Sequence, residues 1–297
     1  MLLGTKLQLI AVLGPTFAGL PTSLAFAWGD VGHETVALIA QHYLKPAVRD
    51  KVTSILEADT ANTLTAHDIA SAATWPDKHR ESPAGRAKPE PWHFVDIEII
   101  TGDLSPACFK FPKLSPGQLA SDGPANDCVI DKIGEFEAEL SNTSTPQFEE
   151  ALALKYLLHF VGDVHQPLHS ADDNDRGGNN KAVSGKFSRA KEVHAFWDTT
   201  VVMNLGPDAE TISNTLIGKI TNKQVSEWSS GTAKDWAMEA YQLAKADAYG
   251  KLPSPVNGKY PLPQSYLDMA TPVAAEQLSK AGVRLAYLLN QAFGGRG

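Results

Sequence analysis

The chain has 297 residues, of which 43% are hydrophobic and 20% charged, with a formal net charge of -8. That length supports one large domain or two small ones with a substantial core. The excess of acid argues against a protein that grips nucleic acid through Lys and Arg alone, but the objection lapses where bound divalent cations are the dominant local charges.

At the N-terminus, Met1 to Lys6 carry one positive charge, and Leu7 to Leu24 are apolar but broken by Gly14, Pro15 and Pro21. Ala25-Phe26-Ala27 then supplies a small-x-small cleavage site. Residues 1–27 therefore read as a secretory signal peptide and 28–297 as one mature domain, secreted or periplasmic. An uncleaved membrane anchor is the alternative, weakened by the broken stretch and by the lack of a stop-transfer pattern. Cutting after Ala27 would make Trp28 the N-terminus. Its free amino nitrogen and its carbonyl could then chelate a metal, with His33 five residues on, whereas an internal amide nitrogen has no available lone pair.

Most of the remaining chain reads as helix. Asp30 to Tyr43 carries Val36, Ala37, Ile39, Ala40 and Tyr43 close to a helical stripe. Pro46 suits a first helical position and Ala47 to Glu57 follows. His67 to Ala73 is a short helix ended by Trp75-Pro76, because Pro disfavours helical geometry in the residue before it. Phe148 to Val164 is the strongest helix, and Ala209 to Ile220, Gly231 to Tyr249 and Pro272 to Phe293 complete the second half. Two long irregular stretches, Leu104 to Asp127 and Ala171 to Lys186, interrupt the pattern, and such loops in a compact domain are functional or disordered. No repeat or linker divides the chain. The expected fold is a single all-α domain.

Cys108 and Cys128 are the two cysteines, and in a secreted chain an even pair suggests one disulfide, two free thiols being the alternative. Asn142-Thr143-Ser144 is a glycosylation sequon, relevant only in a eukaryotic host.

His159 and Asp163 stand four residues apart in the strongest helix, so both side chains project from one face and can reach a common ion. His194 and Asp198 repeat that spacing, with His169 between the two pairs and His33 and His93 elsewhere. One such pair is commonly a core histidine beside a surface acid. Two are harder to dismiss. Imidazole with carboxylate favours zinc over magnesium or calcium, and three protein ligands per ion leave a position open for water, the catalytic pattern.

Trp28, Trp75-Pro76-Asp77, Trp92-His93-Phe94-Val95-Asp96, the run from His159 to His169, and His194-Ala195-Phe196-Trp197-Asp198 together resemble the motif set of the zinc-dependent single-strand nuclease family, of the S-one/P-one type. The motifs run in the family's order across 28–198. The resemblance implies a mainly helical domain with a trinuclear zinc cluster in a cleft, related to bacterial zinc phospholipase C. It implies one zinc on Asp77, His93, His159 and Asp163. A second would sit on the Trp28 amino nitrogen and carbonyl, His33 and Asp163, and a third on His169, His194 and Asp198. The bridging role of Asp163 comes from the resemblance alone.

The same resemblance implies a secreted endonuclease and 3′-nucleotidase that hydrolyses single-stranded DNA and RNA to 5′-phosphate products by a metal-activated water, with 3′-nucleotides as further substrates. Asp77 would orient that water, and the Arg80 fork would suit the developing phosphoryl charge. Phe94 and Asp96 match the family's nucleobase pocket, an aromatic face for an unpaired base beside a hydrogen-bonding carboxylate. Asn179, in Gly177-Gly178-Asn179, matches a further base contact, although Asn in such a loop is commonly a turn residue. His42, His67, His79 and His165 are expected to be structural or solvated. A zinc phospholipase C on the same scaffold and a non-catalytic helical zinc protein are the alternatives. The expected state is a monomer without stable membrane insertion.

Overall fold

A computed structural model describes residues 28–87, 92–108 and 113–294. The expected leader, 1–27, lies outside them. Helix α1 (Gly29–Tyr43) buries Val36, Ala37, Ile39 and Ala40, and α2 (Pro46–Ala58) opens on Pro46, whose missing N–H costs nothing in a first helical turn. Helix α3 (Ile69–Ala72) is capped by Asp68, which accepts the Ser71 amide at 2.8 Å. Helices α4 (Trp75–Glu81), α5 (Pro83–Ala87) and α6 (Ser105–Cys108) follow. Pro76 thus opens a helix as well as closing one: it stands in the first turn of α4 and puts Asp77 immediately inside.

Helix α7 (Val129–Ser141) packs on α8 (Gln147–Asp163), which is buried on nearly every side and forms the centre of the molecule. Past α8, α9 (Val193–Ala195) runs directly into a π-helical turn, Phe196–Val201, a wider winding than the plain helix that the His194–Asp198 spacing suggests. Helices α10 (Ala209–Ile217), α11 (Asn222–Trp228), α12 (Ala233–Leu243) and α13 (Gln264–Gly294) complete the fold, and α13 packs along α1 and reaches α2, α7 and α8. Among the described residues the strands are a two-residue parallel pair, β1 (Val183–Ser184) and β2 (Tyr260–Pro261). The fold is helical, as expected, and no described helix is long and apolar enough to cross a membrane.

Three differences from the sequence reading have physical causes. Helix α7 goes unassigned there although Val129, Ile130, Ile133, Phe136 and Leu140 form a buried stripe at helical spacing. Helix α11 buries no residue, so it leaves no hydrophobic period; a Thr221–Gln224 capping box starts it. Helix α13 begins eight residues ahead of Pro272, which sits inside it, because Tyr266, Leu267 and Ala270 on that side are also buried.

The motif at 92–99 is extended rather than helical. Val95 donates to the His169 carbonyl at 2.8 Å, Asp172 donates to Ile97 at 2.9 Å, and Ile99 donates to Asp172 at 2.8 Å. Val95 and Ile97 point into the core, which leaves Phe94 half-buried and Asp96 exposed on the other side. The Cys108–Cys128 disulfide forms, with its Cα atoms 5.4 Å apart. Lys132, fully buried, donates to the Ala120 carbonyl at 2.9 Å and lies 4.2 Å from the centre of the Trp92 ring, so it ties the neighbouring loop to this motif.

Candidate metal centre

Backbone carbonyls orient three of the histidines. His159 near the end of α8 donates Nδ1–H to Ala73 at 2.7 Å. His169, in the short turn Pro167–His169, donates to His93 at 2.8 Å, and His194 in α9 donates to Gly177 at 2.6 Å. A carbonyl only accepts, so each Nδ1 carries the proton and each Nε2 presents a lone pair. The Nε2 atoms of His169 and His194 face each other at 3.0 Å, and His159 Nε2 lies 3.0 Å from His93 Nδ1.

Facing lone pairs repel unless something positive lies between them. Between His169 and His194, whose tautomers the carbonyls fix, a proton is disfavoured: burial holds His169 well below the usual imidazole range and pushes His194 down to about 4, and it likewise holds His93 and His159 well below that range. A metal ion fits, since nitrogens about 2.0–2.1 Å from one tetrahedral ion lie roughly 3.3 Å apart.

The carboxylates point the same way. Asp77, Asp163 and Asp198 are buried. Asp163 Oδ2 lies 3.0 Å from His93 Nδ1 and 3.3 Å from His159 Nε2, while Oδ1 lies 3.5 Å from His33 Nε2. Its two oxygens face two different ligand sets. Asp77 Oδ1 lies 3.7 Å from His93 Nδ1 and accepts Arg80 Nη2 at 2.7 Å. Asp198 Oδ2 lies 3.4 Å from His194 Nε2.

Asp163 Oδ1 and Asp198 Oδ2 are buried acceptors without a hydrogen-bond donor among the described residues. Burial raises Asp77 to about 7 against the opposing charge of Arg80, and lifts Asp163 and Asp198 well above the carboxylate range. Such acids stay protonated unless a cation stands beside them. Within each of the groups His33/His159/Asp163, Asp77/His93/His159 and His169/His194/Asp198, the ligand atoms lie within 4.8 Å of one another.

Trp28 is fully buried beside this cluster. Its indole donates to the Gly162 carbonyl at 2.9 Å, its backbone nitrogen donates to Asp198, and its carbonyl accepts the Gly32 amide at 3.1 Å with a lone pair to spare. The approach is close: a Cβ on Gly32 would lie 2.5 Å from Trp28 Cβ. Gly32→Ala should therefore displace Trp28, with a loss of about 1–3 kcal/mol and of metal from the site nearest it. Calorimetry and metal analysis check this, and unchanged values for both would refute it.

Arg80, Phe94, Asp96 and Asn179 all line one cleft with His169 and His194, with a cavity volume of about 130 Å3. At its mouth, crowding by protein raises Asp96 to about 6, with Asp172 adding to the rise and Arg176 opposing it. Asn179 also has the turn role expected of its loop, donating Nδ2–H to the Arg176 carbonyl at 2.7 Å. His79 stacks on Trp75, and His165 sits between the Val161 carbonyl and Arg284, outside the centre.

Two residues at the site escape the sequence reading. Gln166 donates Nε2–H to Asp198 Oδ1 at 2.6 Å and takes the Leu168 amide on Oε1 at 2.6 Å, which fixes how the carboxylate is turned. Arg176 lines the cleft; its place before Gly177-Gly178 was the available signal.

The family described as S1/P1 Nuclease matches residues 28–294. The chain belongs to the S1/P1 nuclease family. Nuclease PA3 of Penicillium sp and nuclease P1 of Penicillium citrinum are each 29% identical to it over 286 residues, covering 90% of this chain and 98% of theirs. Endonuclease 2 of Arabidopsis thaliana is 28% identical over 291 residues, covering 90% of this chain and 91% of its own. As an S1/P1 nuclease the protein is a hydrolytic phosphodiesterase with nucleic acid as its substrate class.

Proposed function

We propose that this S1/P1 nuclease is a secreted or periplasmic monomer, an endonuclease and 3′-nucleotidase that hydrolyses single-stranded DNA and RNA to 5′-phosphate products with three zinc ions. The observation that carries the reading is that one cleft brings Phe94 and Asp96 beside Arg80, His169 and His194. A base must be unstacked to lie on Phe94 and to meet the Asp96 carboxylate, which favours single strands without a base code.

The donor set of imidazole and carboxylate suits zinc. Asp77, His93, His159 and Asp163 would hold one ion, Trp28, His33 and Asp163 the second, and His169, His194 and Asp198 the third. When bound, zinc supplies Lewis-acid charge and a nucleophile at neutral pH. Asp77 then holds the attacking water in line. The Arg80 guanidinium, anchored on Asp77, brings positive charge to where the phosphoryl oxygens become more negative. Through a bound ion, His169, His194 and Asp198 would supply positive charge for the leaving 3′-oxygen, so the upstream fragment would depart with a 3′-hydroxyl and the phosphate would stay on the 5′ end of the downstream fragment.

Maturation at Trp28 belongs to the same reading. Its φ of 33° lies in the left-handed region, a torsion that no longer exists once Ala27 is removed. Incubating the mature protein with single-stranded oligonucleotide, or with phosphatidylcholine vesicles, each with and without chelator, tests the whole. Chelator-sensitive cleavage of the oligonucleotide is expected; chelator-insensitive nucleolysis, or lipid turnover alone, would overturn it. Phe94→Ala should raise KM for oligonucleotides by roughly 5- to 150-fold, the equivalent of about 1–3 kcal/mol of stacking. An unchanged KM would exclude the stacking role.

A further inference from the structure

We propose that Arg176 positions the substrate by binding the phosphate next to the scissile one, so that the cleft grips two consecutive phosphates of a strand. The inference rests on the nuclease reading above and adds a contact to it.

Arg176 is exposed and lines the cleft with Arg80, Phe94 and Asp96. Its backbone is left-handed, with φ 60°, a conformation that residues other than Gly and Asn rarely adopt. The surrounding loop holds it there. Asp172 Oδ1 accepts the amides of Asp175 and Gly177 at 3.0 and 3.1 Å, and Asp175 Oδ1 accepts the Gly178 amide at 2.9 Å and the Tyr249 hydroxyl at 2.8 Å. The Arg176 carbonyl takes the Asn179 side chain. Backbone strain that the surroundings impose this firmly is characteristic of ligand clamps.

Charge supplies the second argument. The neighbouring cations are committed: Arg80 to Asp77 at 2.7 Å, and Lys181 to Asp173 and Asp175 at 3.1 Å each. Arg176 forms no ion pair among the described residues, and its charge acts on Asp96 and His194 only through space. Asp96 and Asp172 would otherwise repel a polyanion at this mouth, in a chain already at -8. A planar fork of donors matches phosphate geometry, and Phe94 already offers the aromatic surface that a base requires.

The test compares a dinucleoside monophosphate, whose one phosphate is the scissile one, with a trinucleoside diphosphate, which adds a flanking phosphate. Both are assayed with zinc-loaded wild type, Arg176→Gln and Arg176→Lys. In wild type, kcat/KM should favour the longer substrate. Arg176→Gln should lower that preference about tenfold, Arg176→Lys should recover part of it, and the salt dependence for the longer substrate should flatten by about one phosphate contact in Arg176→Gln. Equal losses on both substrates would make Arg176 a contact to the base or the scissile group and would overturn the proposal, as would no loss on either. Wild type inactive on both substrates would instead overturn the nuclease reading itself. Metal content and melting temperature, measured in parallel, should match wild type because the side chain is exposed.

Discussion

Asp163→Ala should strip two metal ions from the protein at once. Oδ2 of Asp163 faces His93 and His159, and Oδ1 faces His33; among the described residues no other side chain addresses both ligand sets with separate oxygens. Removal of either His33 or His93 should cost one ion by comparison. The rate on oligonucleotide should fall by more than about 10²–10³-fold, the effect of removing one electrostatic stabiliser from a water-excluded site. Elemental analysis of the purified variant is the direct measurement. Loss of a single ion would mean that the two carboxylate oxygens serve one centre, whatever the activity does.

The second large effect is on stability. A saturated metal site contributes about 4 kcal/mol when free ion stands a thousandfold above Kd, or roughly 8–16 °C for a domain of this size. Chelation should lower the melting temperature by at least that much, and the deficit should widen with pH. Asp77, Asp163 and Asp198 have raised folded pKa values, so the metal-free fold keeps protons that the unfolded chain has released, and stability falls as pH climbs above about 4. The depressed imidazoles act in the opposite sense, but only up to about pH 6.5, where unfolded histidine also becomes neutral. From pH 6.5 upward the carboxylates act alone. Metal cancels their charge, so the gap between loaded and stripped protein should grow as pH rises above about 6.5. A gap that closes over that range would show that the carboxylates are compensated in some other way.

Sequence alone exposed the parts of this centre that obey a helical period. His159 and Asp163 share a face of α8, and the His194–Asp198 spacing works even though the chain there winds as a π turn, because four residues remain close to one turn in either winding. Phe94 and Asp96 were legible through the resemblance of the Trp92–Asp96 motif to the family's nucleobase pocket, not through a local period. The bridging geometry of Asp163 was not, since it depends on where His33 and His93 are carried by α1 and by the extended segment. Gln166 and Arg176 escaped for the same reason. Their roles come from tertiary neighbours, Asp198 across 32 residues and the cleft wall, and no local pattern announces them. Helix α11 was hidden because it buries nothing, while α7 carried a readable stripe immediately behind an irregular loop.

The carbonyls that orient His159, His169 and His194 belong to Ala73, His93 and Gly177, three segments remote from one another in the chain. Each imidazole is aimed only once its segment has docked. A half-assembled chain therefore offers scattered, freely rotating ligands, while the finished one offers a rigid and electrostatically unhappy cage. An ion bound there would favour the correctly packed molecule, because only that molecule presents its ligands together.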